Sequence, residues 1–558
     1  MSRSKGAATG ALAAGLLLGA EATARYLPRL LDTSLPAQPV LGIVAGLGYL
    51  LVALPAGALH RYAPAAALAV LAGAGGGPLS AVMGAVAGLV AARLPRASLG
   101  LGLGFGLAAT LGTAVLIPWR PAPVAGNAPL IVLVVLDTVS ADSTSLRDGG
   151  PYDTTPNLSA LAAEGLNFTS AISAAPWTVP SHAAMFTGLL PSESGAHHES
   201  PTLPGAAVTT AERLRGAGWR TGAFVANPWV GSFNGLTQGF EHQENHWERA
   251  RAARSFSLLS LLPAQPSKGG SATVAGALGW IVRDRSRPTL AFVNVLEAHS
   301  PFHQVPSPDR FGVIDPTEIG ERMHRVQMEG PQSLPDFPRS GEVRDARALY
   351  AASVHAADAL LGELLDGLPD DAFLIVTSDH GEAFGEHGFY GHMVGLHRET
   401  LRVPLVISGP ELAPGEVTEP VSTAEIHATI LHHAGLEAGG LLDGATAGVV
   451  ISEQLRPLQV LADFQGSAVP PSPASIEALD VRARRVQSGS TVLLQRGERV
   501  VRYELDADRF ETRPLPVRPE HAALQADLEM VLESSGAAVE IEGDLRAQLR
   551  ALGYLGDE

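Results

Sequence analysis

The sequence predicts an α/β protein. A mainly parallel sheet covered by helices follows a set of transmembrane helices and precedes a small antiparallel subdomain. Three observations carry this. Short, continuously apolar, β-branched runs alternate with helical patterns between residues 129 and 440, as βαβ units require. Between Thr33 and Trp119 the only Asp, Glu, Lys or Arg residues are Arg61, Arg93 and Arg96. Residues 491–496 and 500–505 flank Gly497-Glu498 as the arms of a hairpin would.

The chain has 558 residues, which suits two or three domains. It divides into a membrane region at 1–120, a linker at 121–128, the α/β body at 129–440 and a small subdomain with its tail at 441–558. There are 56 acidic and 39 basic side chains, a net charge of -17. The charge is uneven, because residues 1–120 hold eight basic and two acidic side chains. An acidic body excludes a nucleic-acid grip, which needs basic surface to displace counterions. Cysteine is absent. Disulfides, thiolate metal sites and Cys nucleophiles are therefore excluded.

In the first region, residues 39–59 and 98–118 each match one bilayer span. Residues 64–92 form one kinked span or two short pieces around Gly75-Gly76-Gly77-Pro78. Residues 7–20 are apolar but short. Three or four spans are expected, which makes a multi-pass protein of the cell membrane with lipid as a partner. With three spans and the N-terminus inside, six basic residues lie inside and two outside. The acidic body is then extracytoplasmic. With four spans the split is four to four and the rule is silent.

Residues 129–136, Pro-Leu-Ile-Val-Leu-Val-Val-Leu, read as a buried parallel strand ending at Asp137. A helix over 155–165 follows. Next come a helix at 211–217, a strand at 220–225, a Gly-rich linker at 266–270 and a strand at 290–296. An amphipathic helix over 354–368 leads into a strand at 374–377, which ends at Ser378-Asp379-His380. In parallel sheets ligands sit beyond the carboxyl ends of the strands. Asp137, Asp379 and His380 fall there. As oxygen and nitrogen ligands they suit one divalent metal ion, Mn, Mg, Zn or Ca. Strand-end acids that merely cap helices are the alternative.

Residues 176–188 read Pro-Trp-Thr-Val-Pro-Ser-His-Ala-Ala-Met-Phe-Thr-Gly. Thr178-x-Pro180-Ser181-His182 followed by Thr187-Gly188 resembles the nucleophile motif of the sulfatase family, in the alkaline-phosphatase superfamily. Leu136-Asp137-Thr138 and Asp142, Thr155-Pro156-Asn157-Leu158, Ala162-x-Glu164-Gly165 and Ser378-Asp379-His380-Gly381-Glu382 fall in that family's order. So do Gly385-Glu386-His387-Gly388, Gly391-His392 and Arg402-Val403-Pro404-Leu405. His299 with Pro301-Phe302 resembles its His-x-Pro-aromatic element. Tyr503-Glu504-Leu505 and residues 549–555 resemble its C-terminal pieces. The resemblance implies an alkaline-phosphatase-like α/β fold and a metal-dependent esterase over roughly residues 127–435.

Two departures change the expected chemistry. The family converts a Cys or Ser at the nucleophile position to formylglycine. Thr178 cannot yield that aldehyde, because its β-carbon carries a methyl group. His182 stands where the family has Arg. A Thr nucleophile is similar to that of relatives that transfer phosphoglycerol or phosphoethanolamine through a phospho-threonine. By that resemblance Asp137, Thr178, Asp379 and His380 hold the metal, and Thr178 is the nucleophile. His299 and His392 donate hydrogen bonds to non-bridging oxygens or protonate the leaving group. His182 either touches the transferred group or buttresses the loop.

Ser181 is expected to turn the loop and cap the following helix. His387 and His397 are expected at the rim or in structural roles, and Arg402 is expected to pair an acid. Asp142 either supports the site from behind or makes a turn, and His197-His198 is expected to be solvated. The leading reading is a membrane-anchored enzyme that cleaves or transfers a phosphoester, its substrate a phospholipid headgroup or a glycan. A sulfuric ester hydrolase and a non-catalytic membrane scaffold are the alternatives.

Overall fold

The computed structural model describes residues 126–528 apart from 147–151, 199, 247–267, 303–307, 314, 330–333, 335, 438, 444–447 and 456–481. The apolar stretches expected to span a membrane, and residues 549–555, lie outside the described residues. Among the described residues no helix is long and apolar enough to cross a membrane.

The elements that matter for the site begin with β1 (Leu130–Leu136), α1 (Pro156–Glu164), β2 (Leu166–Phe168), α2 (Thr178–Thr187), α3 (Thr210–Gly216) and β3 (Arg220–Val225). They continue with β4 (His242–Asn245), α4 (Gly270–Ile281), β5 (Thr289–Val295), α5 (Pro316–Glu329), α6 (Glu342–Gly367) and β6 (Ala372–Thr377). Next are β7 (Leu405–Ser408), β8 (Gly415–Val417) and α7 (Glu425–His433). A final group is β9 (Val450–Gln454), β10 (Ala483–Ser488), β11 (Thr491–Arg496) and β12 (Arg499–Glu504).

The main sheet has eight strands in the order β8-β2-β7-β6-β1-β5-β3-β4. β1 is central and pairs in parallel with both β5 and β6. β7 runs antiparallel to β6 and to β2, so the sheet is mainly parallel. Every residue of β1 is buried. Successive side chains point to opposite faces. Ile131, Leu133 and Val135 therefore join one core with α2, α3 and α7. Leu130, Val132, Val134 and Leu136 join a second with α1, α4 and α6. This two-sided burial is why the run shows no alternation in sequence.

The structure extends three expectations. The helix expected over 354–368 runs from Glu342 to Gly367. Its first turns hold Glu342, Arg344, Asp345 and Arg347, whose polarity hides the buried positions Ala346, Leu349 and Tyr350. The Gly-rich linker at 266–270 leads directly into α4, which was not anticipated. Two of its glycines serve close packing: a Cβ on Gly270 would lie 2.2 Å from Glu297 Oε2, and one on Gly276 would lie 2.9 Å from His246 Nε2. The hairpin is half of a four-stranded antiparallel sheet, β9-β10-β11-β12. Val450, Ala483, Val492, Leu494 and Tyr503 of that sheet pack against Ile172, Leu396 and Leu401 of the body.

Phe292 of β5 joins core to site, because its ring meets His182 and Phe186 edge-on at 5.9 and 5.0 Å. Phe292→Ala is expected to cost about 3–5 kcal/mol, read as a fall in the chemical-denaturation midpoint. An unchanged midpoint would mean that the core closes over the gap.

Candidate active site

Asp137 follows β1 and Asp379-His380 follow β6, with Ser378 between strand and acid. Because the strands are parallel neighbours, the two acids emerge side by side. Asp137, Asp379 and His380 are fully buried, and one ligand atom from each lies within 4.8 Å of the others.

Protein donors satisfy only half of each carboxylate. Asp137 Oδ2 accepts from Asn227 Nδ2 at 2.8 Å and Asn294 Nδ2 at 2.9 Å. Asp379 Oδ1 accepts from the amides of Thr138 and His380, both at 3.0 Å. Asp137 Oδ1 and Asp379 Oδ2 have no hydrogen-bond partner among the described residues. His380 Nδ1–H donates to the Gly381 carbonyl at 3.0 Å, which leaves the Nε2 lone pair facing inward. Nε2 lies 3.3 Å from Asp379 Oδ2 and 3.5 Å from Thr178 Oγ1.

Burial raises the Asp137 carboxyl to about 7, with the charge of Asp379 adding to it. Burial likewise raises Asp379 to about 7. Burial lowers His380 to about 4, so its imidazole is neutral at pH 7. Two orphaned buried carboxylate oxygens, an imidazole lone pair and a hydroxyl are the donor set of a divalent cation. The residues fit the metal expected from the sequence.

Thr178 is the first residue of α2 and is fully buried. The first amides of a helix have no intrahelical partner and carry partial positive charge. A negative group on Thr178 would be stabilised there. Ser181 does not cap this helix. It lies within it, donates to the Asp379 carbonyl at 2.6 Å and meets Ser173 Oγ at 3.0 Å. It thereby ties α2 to the metal-ligand loop. His182 Nδ1–H donates to the Thr178 carbonyl at 2.8 Å, one helical turn back. Burial lowers its pKa to about 3, and the neutral ring stands behind Thr178.

The loop after Asp137 is held under strain. Thr138 has φ of 59°, unfavourable for a β-branched residue. Its carbonyl accepts from Tyr350 Oη at 2.5 Å, and the same Oη accepts from the Ser140 amide at 2.9 Å.

His299 and His392 come together with His380. The ring centroids are 5.0 Å apart for His299–His392 and 4.5 Å for His380–His392. His392 Nδ1 lies 3.1 Å from Glu382 Oε1. Burial lowers His392 to about 4 and raises Glu382 to about 8. At neutral pH this pair therefore retains a proton that it can give away. Lys268 was not singled out in the sequence. Its buried ammonium donates to the carbonyl of His299. Burial lowers it to about 8, against the opposing charge of Glu297.

Glu382, Asn227, Asn294 and Lys268 are thus functional candidates that sequence reasoning passed over. Glu382 lies inside the Asp-His-Gly-Glu motif, and Asn294 is the polar break in an apolar strand. Asn227 and Lys268 carry no local signal. Arg402 pairs an acid as expected, with Nη1 2.9 Å from Asp142 Oδ1. His387 and His397 stack on each other at 3.8 Å beside Glu399. The pair His197-His198 is buried rather than solvated, at 1% exposure each. His198 donates from Nε2 to the Met393 carbonyl and packs against Trp177.

A family model described as Sulfatase matches residues 129–436, more than half of the chain. The chain belongs to the sulfatase family. It is accordingly an enzyme of that family. It is 24% identical over 412 residues to arylsulfatase K of Canis lupus familiaris, covering 66% of this chain and 76% of that protein. It is 25% identical over 398 residues to choline-sulfatase of Rhizobium meliloti (strain 1021), covering 61% and 75%. Among solved structures it is similar to the phosphonate monoester hydrolase of Agrobacterium radiobacter, with TM-score 0.54 and 18% identity over 72% of this chain and 94% of that one. That likeness establishes the alkaline-phosphatase-like fold.

The raised acids set a pH dependence. Folded metal-free protein holds protons on Asp137 and Asp379 that the unfolded chain, near the ordinary value of 3.8, has lost. Stability then falls as pH rises from about 4 through about 7. Metal-free protein is expected to melt at lower temperature at pH 8 than at pH 5.5, with a divalent ion restoring the loss. Asp137→Asn should flatten the slope. Equal slopes in the two proteins would contradict the geometry.

Proposed function

We propose that this sulfatase-family enzyme is membrane-anchored and metal-dependent, and that it cleaves or transfers a phosphoester group with Thr178 as nucleophile. The observation that carries the reading is the buried Thr178 hydroxyl. It sits at the start of α2, 3.5 Å from His380 Nε2, beside two carboxylate oxygens without donors. A divalent ion held by Asp137, Asp379, His380 and Thr178 would neutralise phosphate charge and lower the pKa of the hydroxyl.

The chain's own residues account for the rest. Thr178 Oγ1, whose proton would leave to solvent once a cation is held beside it, attacks phosphorus. The Oγ1–P bond forms and the P–O bond to the leaving alcohol breaks. His392, backed by the Glu382 proton, protonates the leaving oxygen. The α2 N-terminus stabilises the charge left on Thr178. Water or an acceptor hydroxyl then attacks phosphorus, its proton passing back to the His392–Glu382 pair, and the Oγ1–P bond breaks to return Thr178 to its starting state. His299, oriented by its Nδ1–H on the Ser300 carbonyl, faces the same space and presents the Nε2 lone pair, which accepts from the attacking water or from a protonated phosphate oxygen. Apolar stretches in residues 1–120 support a membrane tether with the enzyme outside the cytoplasm, and with it a phospholipid headgroup or glycan substrate.

Sulfuric ester hydrolysis is the second reading, supported by two relatives named as sulfatases. The same attack on sulfur would serve it.

Purified full-length protein supplied with divalent metal is expected to turn over an aryl phosphodiester faster than the matched aryl sulfate. Thr178→Ala should lower turnover by at least about a thousandfold while melting temperature and metal content stay near wild type. Faster sulfate release would replace the first reading with the second. Full activity of Thr178→Ala would remove Thr178 as the nucleophile. Glu382→Gln should cut kcat about a hundredfold for a poor leaving group and much less for a good one. Equal losses would assign Glu382 to structure.

A further inference from the structure

A cavity of about 200 Å3 lies between the body and the C-terminal sheet and shares no residue with the metal cradle. Four guanidinium groups line it, those of Arg398, Arg402, Arg485 and Arg509, against one carboxylate, Glu511. Two are neutralised from behind: Asp142 accepts from Arg398 Nε at 2.8 Å and from Arg402 Nη1 at 2.9 Å. Arg485 is different. It is 1% exposed, and its Nη2 donates to Glu511 Oε1 at 2.8 Å. Its Nε and Nη1 have no hydrogen-bond partner among the described residues. A buried donor without an acceptor is costly, and a charged one more so.

Gln487 stands two residues along β10, on the same face as Arg485. It also lines the cavity and is 1% exposed. Its Nε2 donates to the Gly489 carbonyl at 3.1 Å, which fixes the amide orientation. Its Oε1 is then a buried acceptor with no donor among the described residues. The wall therefore asks for a small group that is anionic, accepts from Arg485 and donates to Gln487. Hydrogen phosphate supplies both, through P–O⁻ and P–OH. Sulfate at neutral pH supplies acceptors only, and so does the dianion of a phosphate monoester.

We propose that this arginine-lined cavity is an inorganic phosphate site, separate from the catalytic centre. It stands whether the catalytic ester is a phosphate or a sulfate. Arg398 and Arg402 lie on the segment that follows His392, so a bound anion would bridge that segment to β10.

The test is isothermal titration of full-length protein with inorganic phosphate, sulfate and methyl phosphate. Wild type and Asp379→Asn are both expected to bind phosphate, at least about tenfold more tightly than either competitor. Gln487→Glu, which places a carboxylate on the wall, should weaken phosphate binding at least about tenfold and leave esterase activity unchanged. Arg485→Gln should do the same. If that variant fails to fold, Gln487→Glu decides. Phosphate binding lost in Asp379→Asn but unaltered in Gln487→Glu would overturn the proposal. So would equal binding of phosphate and sulfate, or no binding at all.

Discussion

Two carboxylates are held out of water at the ends of neighbouring parallel strands, each with one oxygen unsatisfied. Most of the surrounding structure follows from that. Asp137 and Asp379 repel one another, and the buried ammonium of Lys268 offsets the charge of Asp137 only in part. Moving an ion out of water costs several kcal/mol even after relaxation. The fold holds the acids in place all the same. Asn227 and Asn294 grip one oxygen of Asp137, and the Thr138 and His380 amides grip one of Asp379. What is left over points to a common spot. Such pre-organisation makes metal binding and local stability the same free energy.

Packing sets the geometry of Thr178. α2 begins at Thr178 and is anchored from two sides. Ser181 bonds the loop that carries Asp379, while His182 bonds back to the Thr178 carbonyl with its ring between Phe186 and Phe292. The hydroxyl therefore cannot drift from the acids without disturbing the core. Tyr350, reaching across from α6, holds Thr138 in its strained conformation. A helix 26 residues long thus supports the metal loop from the opposite face of the sheet.

Much of this was legible in the sequence, and the reason is physical. β1 and β6 are short apolar runs that end abruptly in Asp137 and in Ser378-Asp379-His380, and the carboxyl ends of parallel strands are where ligands gather. Thr178 was singled out because its register against Pro180, Ser181 and Thr187-Gly188 resembles the sulfatase nucleophile motif. The partners that complete the site were harder to see. Asn227 and Lys268 come from connections after β3 and before α4, where no periodicity marks them. Ser181 bonds a carbonyl 198 residues away, which no local pattern encodes. The first half of α6 is polar enough to read as loop, and α4 carries Gly270 and Gly276 where its neighbours approach too closely for a Cβ. His197 and His198 look like solvent-exposed residues until Trp177 closes over His198.

The central claim is that Thr178 carries the transferred group. It is tested most directly by quenching the full-length enzyme during turnover of a phosphodiester and sequencing the peptide spanning residues 176–188 by mass spectrometry. The account predicts a phosphoryl group on Thr178 that is absent without substrate and without divalent metal. Turnover that proceeds while Thr178 stays unmodified at every quench time, with the group on another residue or on none, would contradict it.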